Sequence, residues 1–518
     1  MEQTIAKMAG TWLVRAGVPT LALAGVATYY SNISNNSQPP TDRPPIVAEA
    51  TPDTPVAQTP HIGLPAKEAN SAKTVENNPS ESFATDIKDD PASSPTLLRN
   101  LPEGVKLVRI FYATDRNSTD LRSQIPWLSG VLPMCLAIAA TFGIVGMGPS
   151  ITRKYWPLIA IGGVVVVSYL GHSVWIRTST LFKMSNRYGL VFGADRYQPK
   201  GKQYPLHVGY CDVTIPPTHQ KGRLESPSWI HMEWKQDERK HVILQSIEPA
   251  EENAYFKNLS SRLNNSSKNE VLVFIHGYNV PFSDAVRRTA QLCNDLEFPG
   301  VPICYSWPST ATFAGYSRDE ASVGWTVAHL ERFLADVHSR SGAQKIHLIA
   351  HSMGNRALVG ALERLVLRDK EASQYLGQVV MAAPDVDSGE LSNRYIPTIV
   401  SHVQRLTLYT SQNDKALLAS ATLHGATRAG YQPASELLFP GVETIDVSSI
   451  DTGLLGHSYY GEHPDLIKDL QALVELNQPA NLRLWLSPIS VRPDQGYWAF
   501  TRKRVATQPA DTQPHHRK

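Results

Sequence analysis

Three residues of this 518-residue chain have the types and the order for covalent chemistry. Ser352 stands between small residues in Ala350-His-Ser-Met-Gly354, Asp414 ends Thr410-Ser-Gln-Asn-Asp414, and His457 lies in Leu455-Gly-His457-Ser-Tyr-Tyr460. A serine hydroxyl is a weak nucleophile at neutral pH, so a histidine must take its proton as it attacks an acyl carbon. His457 is the candidate base. A carboxylate at the other ring nitrogen must hold one tautomer and stabilise the imidazolium as it forms, which makes Asp414 the candidate acid. Asp385 and Asp387, in Ala382-Ala-Pro-Asp385-Val-Asp387, are the alternative acids. The tetrahedral oxyanion needs preorganised N–H donors, and losing one such donor typically costs on the order of 100-fold or more in rate.

These residues need elements to hold them. Lys345 to His351 is an apolar run that reads as a buried strand, followed by a sharp turn with Ser352 at its apex and then a helical pattern, a strand–serine–helix elbow. Glu270 to Ile275 reads as another buried strand, ending in the loop His276-Gly277-Tyr278-Asn279. In an elbow fold that loop gives one oxyanion N–H and the residue after the serine gives the other, so the hole is expected at the amides of Tyr278 and Met353. Further apolar runs at Gln378–Asp385, Val403–Tyr409 and Val442–Val447 fit parallel strands with room for crossover helices between them. Serine, acid and base thus follow in the order of an α/β-hydrolase, and the expected fold class is α/β, a mostly parallel sheet flanked by helices. His276 and His351, in the motif loops, are read as hydrogen-bonding groups that shape those loops.

From Val271 to about Leu473 the chain resembles a bacterial family of uncharacterised α/β-hydrolases, a domain of unknown function found in many predicted esterases and lipases. The resemblance rests on Phe274-Ile-His-Gly-Tyr-Asn-Val280, Ala285-Val-Arg-Arg-Thr-Ala-Gln-Leu292, Phe298-Pro-Gly-Val-Pro302, Tyr305-Ser-Trp-Pro-Ser309, Tyr316-Ser-Arg-Asp319, Ala350-His-Ser-Met-Gly-Asn-Arg356, Ala383-Pro-Asp-Val-Asp387, Tyr409-Thr-Ser-Gln-Asn-Asp-Lys-Ala-Leu417 and Leu455-Gly-His-Ser-Tyr-Tyr460. Two earlier pieces, Val108-Arg-Ile-Phe-Tyr-Ala-Thr-Asp-Arg116 and Val213-Thr-Ile-Pro-Pro-Thr-His219, share it. The Ala-His-Ser-Met-Gly form is the family's own. The resemblance implies a serine hydrolase using Ser352, Asp414 and His457, and supplies no substrate.

Between those two earlier pieces the chain departs from the family. Ile125 to Met147 and Tyr155 to Ile176 contain no Asp, Glu, Lys or Arg, and each is long enough for a hydrocarbon core of ~30 Å, which takes about 20 residues. Trp127, Tyr155, Trp156 and Trp175 sit near their ends, where interfacial aromatics collect. Residues 125–176 are therefore expected to form a transmembrane helical hairpin. Lys7 and Arg15 precede an apolar stretch in residues 1–30, the pattern of a signal peptide or N-terminal anchor. With the N-terminus exported, Arg153 and Lys154 fall in a cytoplasmic turn, as the positive-inside rule favours. The catalytic domain then lies outside the cytoplasm, at a bacterial inner membrane.

The remaining organisation follows composition. Residues 31–100 are Pro- and Ser-rich without apolar periodicity and are expected to be a disordered linker. Residues 101–124 hold the first strand region of the hydrolase domain, 177–480 the catalytic domain, and 481–518 a C-terminal extension with a basic tail. A net charge of +2, from 49 basic and 47 acidic residues, gives no ground for a nucleic-acid partner. Of four cysteines, Cys135 falls in an expected membrane span; Cys293 and Cys304 are expected as two buried thiols, with a bridge between them the alternative, and Cys211 carries no assignment. No Cys or His cluster has zinc spacing and no phosphate-binding loop or dinucleotide fingerprint occurs, so no cofactor is expected. The expected function is a membrane-anchored serine hydrolase acting on a small-molecule or lipid ester, with membrane lipid around it. An acyltransferase with the same triad, or a non-enzymatic membrane scaffold of this fold, are the alternatives.

Overall fold

The computed structural model describes residues 101–119, 191–228, 231–311, 315–450 and 463–500. They belong to the second of two compact units, Asn78–Lys518. The N-terminal segment 1–30, the linker 31–100, the hairpin 125–176, the basic tail and His457 lie outside the described residues. Among the described residues no helix is long and apolar enough to cross a membrane.

The strands are β1 (Lys106–Thr114), β2 (Arg116–Thr119), β3 (Val191–Arg196), β4 (His207–Ile215), β5 (Ile243–Ala250), β6 (Glu270–Ile275), β7 (Val301–Ser306), β8 (Lys345–His351), β9 (Leu376–Ala382), β10 (Arg405–Thr410), β11 (Val442–Asp446), β12 (Leu486–Arg492) and β13 (Gln495–Phe500). The principal helices are α1 (Glu252–Asn264), α2 (Phe282–Leu296), α3 (Tyr316–Ser341), α4 (Gly354–Arg368), α5 (Lys415–His424) and α6 (Pro464–Val474). Eleven strands form one sheet in the order β12-β13-β11-β10-β9-β8-β6-β7-β1-β4-β5. From β13 to β1 all neighbours pair in parallel; β12, β4 and β5 join antiparallel at the edges.

The central strands are apolar on both faces because both faces are covered. Val271, Val273 and Ile275 of β6 face one core with Phe256, Leu330 and Leu358 from α1, α3 and α4. Leu272 and Phe274, pointing the other way, share a second core with Leu292, Leu296 and Leu470 from α2 and α6. The strands expected at residues 270, 345, 378, 403 and 442 all occur, and they pair in parallel as neighbours around β8. Two more, β12 and β13, arise within the stretch read as a C-terminal extension and complete the sheet beside β11. Cys211, Cys293 and Cys304 are free and buried. Burial pushes the Cys304 thiol up to about 12 and raises the other two further, so these are packing residues without thiolate character.

The Ile215-Pro-Pro-Thr-His219 motif leaves β4 and is tied down by its histidine. His219 Nε2 lies 2.7 Å from Asp295 Oδ1 on α2, and Nδ1 lies 2.8 Å from Glu225 Oε2. Burial disfavours the charged ring, but the hydrogen bonds to Asp295 and Glu225 outweigh it and push the pKa up to about 9. A folded-state pKa above the ordinary 6.5 stabilises the fold fully below pH 6.5 and progressively less as pH rises through 9. The stability gap between the parent and His219→Gln is therefore expected to be on the order of 3 kcal/mol near pH 6 and to shrink by pH 9.5. Urea denaturation across that range checks it, and a gap independent of pH would refute the charged clamp.

Candidate active site

The expected nucleophile sits where β8 turns into α4. Ser352 has φ +52°, a left-handed backbone that a non-glycine residue adopts at a cost, and it is 3 % exposed. Hydrogen bonds hold it there. Its amide donates to Ala382 O at 3.0 Å, and its carbonyl accepts from the Asp385 amide at 3.2 Å. The Asn355 side chain donates to the carbonyls of Ala350, Ser352 and Ala382 at 3.1–3.2 Å, stitching the turn to the strand beside it.

Two glycines let the loop after β6 close on this turn. A Cβ on Gly354 would stand 2.4 Å from His276 O, and one on Gly277 would stand 2.8 Å from His351 Nδ1 and 3.0 Å from Ser352 Cβ. The His276-Gly277-Tyr278 loop and the N-terminus of α4 thus meet around Ser352. Tyr278 directly follows Gly277 in that loop, and Met353 directly follows the serine; these two carry the expected oxyanion amides. The 15-residue α4 also points its positive dipole end at the same place.

His276 is a structural group in this arrangement. Its ring stacks on Trp307 at 5.0 Å, and Trp307 Nε1 donates to its carbonyl at 2.7 Å. Burial, together with the nearby Arg116 cation, depresses its pKa to about 3. Arg116 can only donate, so His276 Nε2 accepts from it at 3.2 Å, leaving Nδ1–H to donate to Gly277 O at 2.8 Å.

The three candidate acids have different surroundings. Asp414 follows β10, is fully buried, and caps α5 by accepting the Leu417 amide at 2.9 Å through Oδ1. Asp385 is buried among cations and hydroxyls. Its carboxylate accepts Tyr316 Oη at 2.7 Å, Ser420 Oγ at 2.6 Å and Arg356 Nη2 at 3.1 Å, with Arg428 Nε at 3.4 Å. Burial penalises its charge, but Arg356, Ser420, Tyr316 and Arg428 more than compensate, and its pKa is lowered. Asp387, half-buried, accepts the Glu390 amide at 3.0 Å as the cap of a short helical turn.

Sequence reasoning assigned no role to three residues that build the site's walls. Asp319 on α3 is fully buried and accepts Ser309 Oγ at 2.6 Å, the Thr310 amide at 2.6 Å and the Asn279 amide at 3.4 Å, bracing the loop after β6. Arg356, one turn past the serine, joins Asp385 to Glu320. Arg116 binds the loop from the far side. Asp319, Arg356 and Arg116 all stand in the quoted family motifs, the only signal that could have found them. Among the described residues no group of three His, Cys, Asp or Glu side chains could hold a metal ion.

Fold and site together define an α/β-hydrolase domain. Residues 251–475 match a family described as an alpha/beta hydrolase of unknown function (DUF900). The uncharacterized protein alr1448 of Nostoc sp. (strain PCC 7120) is 23% identical over 246 residues, which are 37% of this chain and 63% of that protein. A predicted CIB-like hydrolase from Thermoplasma acidophilum shares 15% identity over 40% of this chain and 88% of its own, with a TM-score of 0.23. The family match supports a hydrolase-like function.

Proposed function

We propose that this protein is a membrane-anchored serine hydrolase that cleaves a carboxylic ester, or another acyl bond, through an acyl-enzyme. Ser352 attacks the acyl carbon, His457 takes its proton and returns it to the leaving group, and Asp414 orients the imidazole. The amides of Tyr278 and Met353 receive the oxyanion. Water, activated by His457, then releases the acyl group and regenerates the serine. The observation that carries this reading is the left-handed Ser352, packed against the Gly277 loop. A strained serine at a strand–helix turn, beside a glycine-tight loop of amides, suits acyl transfer and serves no packing purpose. Asp414 is preferred to Asp385 because every side of the Asp385 carboxylate is already met by a donor or a cation.

Membrane anchoring rests on the charge-free stretches 125–147 and 155–176, and exposure outside the cytoplasm rests on the basic turn between them. A tethered domain of this kind suits a lipid or amphipathic ester.

Labelling by a fluorophosphonate probe tests the reading. The parent is expected to label, and Ser352→Ala and His457→Ala are expected to abolish labelling while remaining folded. A folded parent that takes no probe would sink the hydrolase reading in favour of a scaffold. If the parent labels, product analysis with added alcohol acceptors separates hydrolysis from acyl transfer.

A further inference from the structure

Arg116 is buried more deeply than an unpaired arginine should be. It is 1 % exposed, and among the described residues no carboxylate lies within ion-pair distance of its guanidinium. Burial lowers its pKa to about 10, with Asp319 and Asp115 opposing the fall. Taking a cation out of water costs several kcal/mol unless its donors are met. Here all of them are.

Nε donates to Ser306 Oγ at 2.9 Å. Nη1 donates to Gly193 O at 2.9 Å and Ser309 O at 3.0 Å. Nη2 donates to Val280 O at 2.8 Å and His276 Nε2 at 3.2 Å. A guanidinium has five N–H donors in a fixed planar fork, so these five partners are held at fixed positions relative to one another. Two of them, His276 and Val280, bracket Gly277-Tyr278-Asn279. Two more, Ser306 and Ser309, belong to the end of β7 and the loop after it. The fifth, Gly193, is on β3, which pairs with β2 at Arg116 itself.

We infer that Arg116 is the positioning residue of the oxyanion hole, clamping both ends of the loop whose Tyr278 amide receives the oxyanion. This rests on the serine-hydrolase reading above. The geometry explains why so costly a group is kept. The Tyr278 amide must hold its place to within a fraction of an ångström, and the loop that carries it has left the ladder of β6. Asp319 ties the Asn279 amide and the Ser309 hydroxyl from the α3 side, so the loop is braced on two sides. Arg116 acts on the carbonyl and imidazole side, where only a donor can serve. The same fork fastens the β2–β3 ribbon to the loop, so those parts are set as one body.

The test uses the full-length protein and its Arg116→Met and Arg116→Lys variants, with two readouts. The first is hydrogen exchange of peptides covering residues 276–281 and 306–311. The second is kcat and KM for a p-nitrophenyl acyl ester. In both variants exchange in these two segments is expected to rise at least tenfold, with the rest of the sheet unchanged. The kcat value is expected to fall on the order of 100-fold, with KM within about threefold of the parent. Lysine should not restore it, because a single ammonium cannot span five acceptors.

If neither variant folds, Ser306→Ala removes one acceptor of the fork and is expected to give the same pattern at about a tenth of the size. Unchanged exchange in the loop overturns the inference, as does faster exchange with an unaltered kcat. A parent that turns over no ester and takes no fluorophosphonate refutes the hydrolase reading itself, and the inference falls with it. An active parent with an indifferent Arg116 refutes the inference alone.

Discussion

Asp414→Asn is expected to lower kcat for an activated ester by about 10⁴-fold, with KM little changed and the protein still folded. The size of the effect comes from the tautomer. An amide in place of the carboxylate offers the histidine a donor where it needs an acceptor, and the ring then presents the wrong nitrogen to the serine. The fold should survive because Asp414 also caps α5 by accepting the Leu417 amide, and asparagine caps a helix about as well. Asp385→Asn provides the contrast. Its carboxylate neutralises Arg356 and Arg428 in a buried setting, and removing that charge is expected to cost about 3–5 kcal/mol of stability. Activity per folded molecule should remain within about tenfold of the parent. Steady-state kinetics and urea denaturation on the two variants check both halves. The opposite pattern, a stable but dead Asp385→Asn beside an active Asp414→Asn, would transfer the acid's role to Asp385.

Gly354→Ala carries the second large effect, here on stability and activity together. The added Cβ would lie 2.4 Å from His276 O, 3.0 Å from Ile275 O and 3.1 Å from the His276 carbonyl carbon. All three are backbone atoms at the end of a central strand, so no flexible side chain can give way. Either α4 is pushed off β6 or the loop after β6 is displaced. We expect a loss of about 3 kcal/mol or more and the disappearance of probe labelling, since both movements pull the Tyr278 and Met353 amides apart. Gly324→Ala is the control. Gly324 lies within α3 with nothing within 4 Å of its would-be Cβ, and alanine there is expected to stabilise the helix by roughly 0.5–1 kcal/mol. A well-folded, labelling Gly354→Ala would show that the close approach of helix and loop is dispensable.

Much of this was written in local pattern. The apolar runs that became β6, β8, β9, β10 and β11 were legible because strands covered on both faces are apolar through most of their length, whatever their neighbours. Ser352 was legible because a tight strand–helix turn excludes all but small residues at Ala350 and Gly354. Asp414 was legible as the carboxylate that follows the β10 run, between the serine and the histidine in chain order; its capping of α5 came only from the structure and gives no reason to choose it over Asp387, which caps a turn in the same way. The strands β12 and β13 were missed because they lie at the sheet's edge. Much of β12 is exposed, so it carries no continuous apolar signal.

By itself the sequence determined the order in which Ser352, Asp414 and His457 occur, the parallel sheet that holds the first two, and the two charge-free stretches outside the described residues. Those depend on residue type and near-neighbour spacing, which local chemistry constrains. Only the tertiary structure shows how differently the candidate acids are surrounded. Asp385 and Asp414 look alike in the chain, and they differ in the cations and hydroxyls that α3, α4, α5 and Arg428 bring to Asp385 from up to 69 residues away. The same holds for Arg116, whose partners lie up to 193 positions along the chain. Nothing in its local sequence tells which carbonyls it will meet, because a buried charge is set by what surrounds it in space.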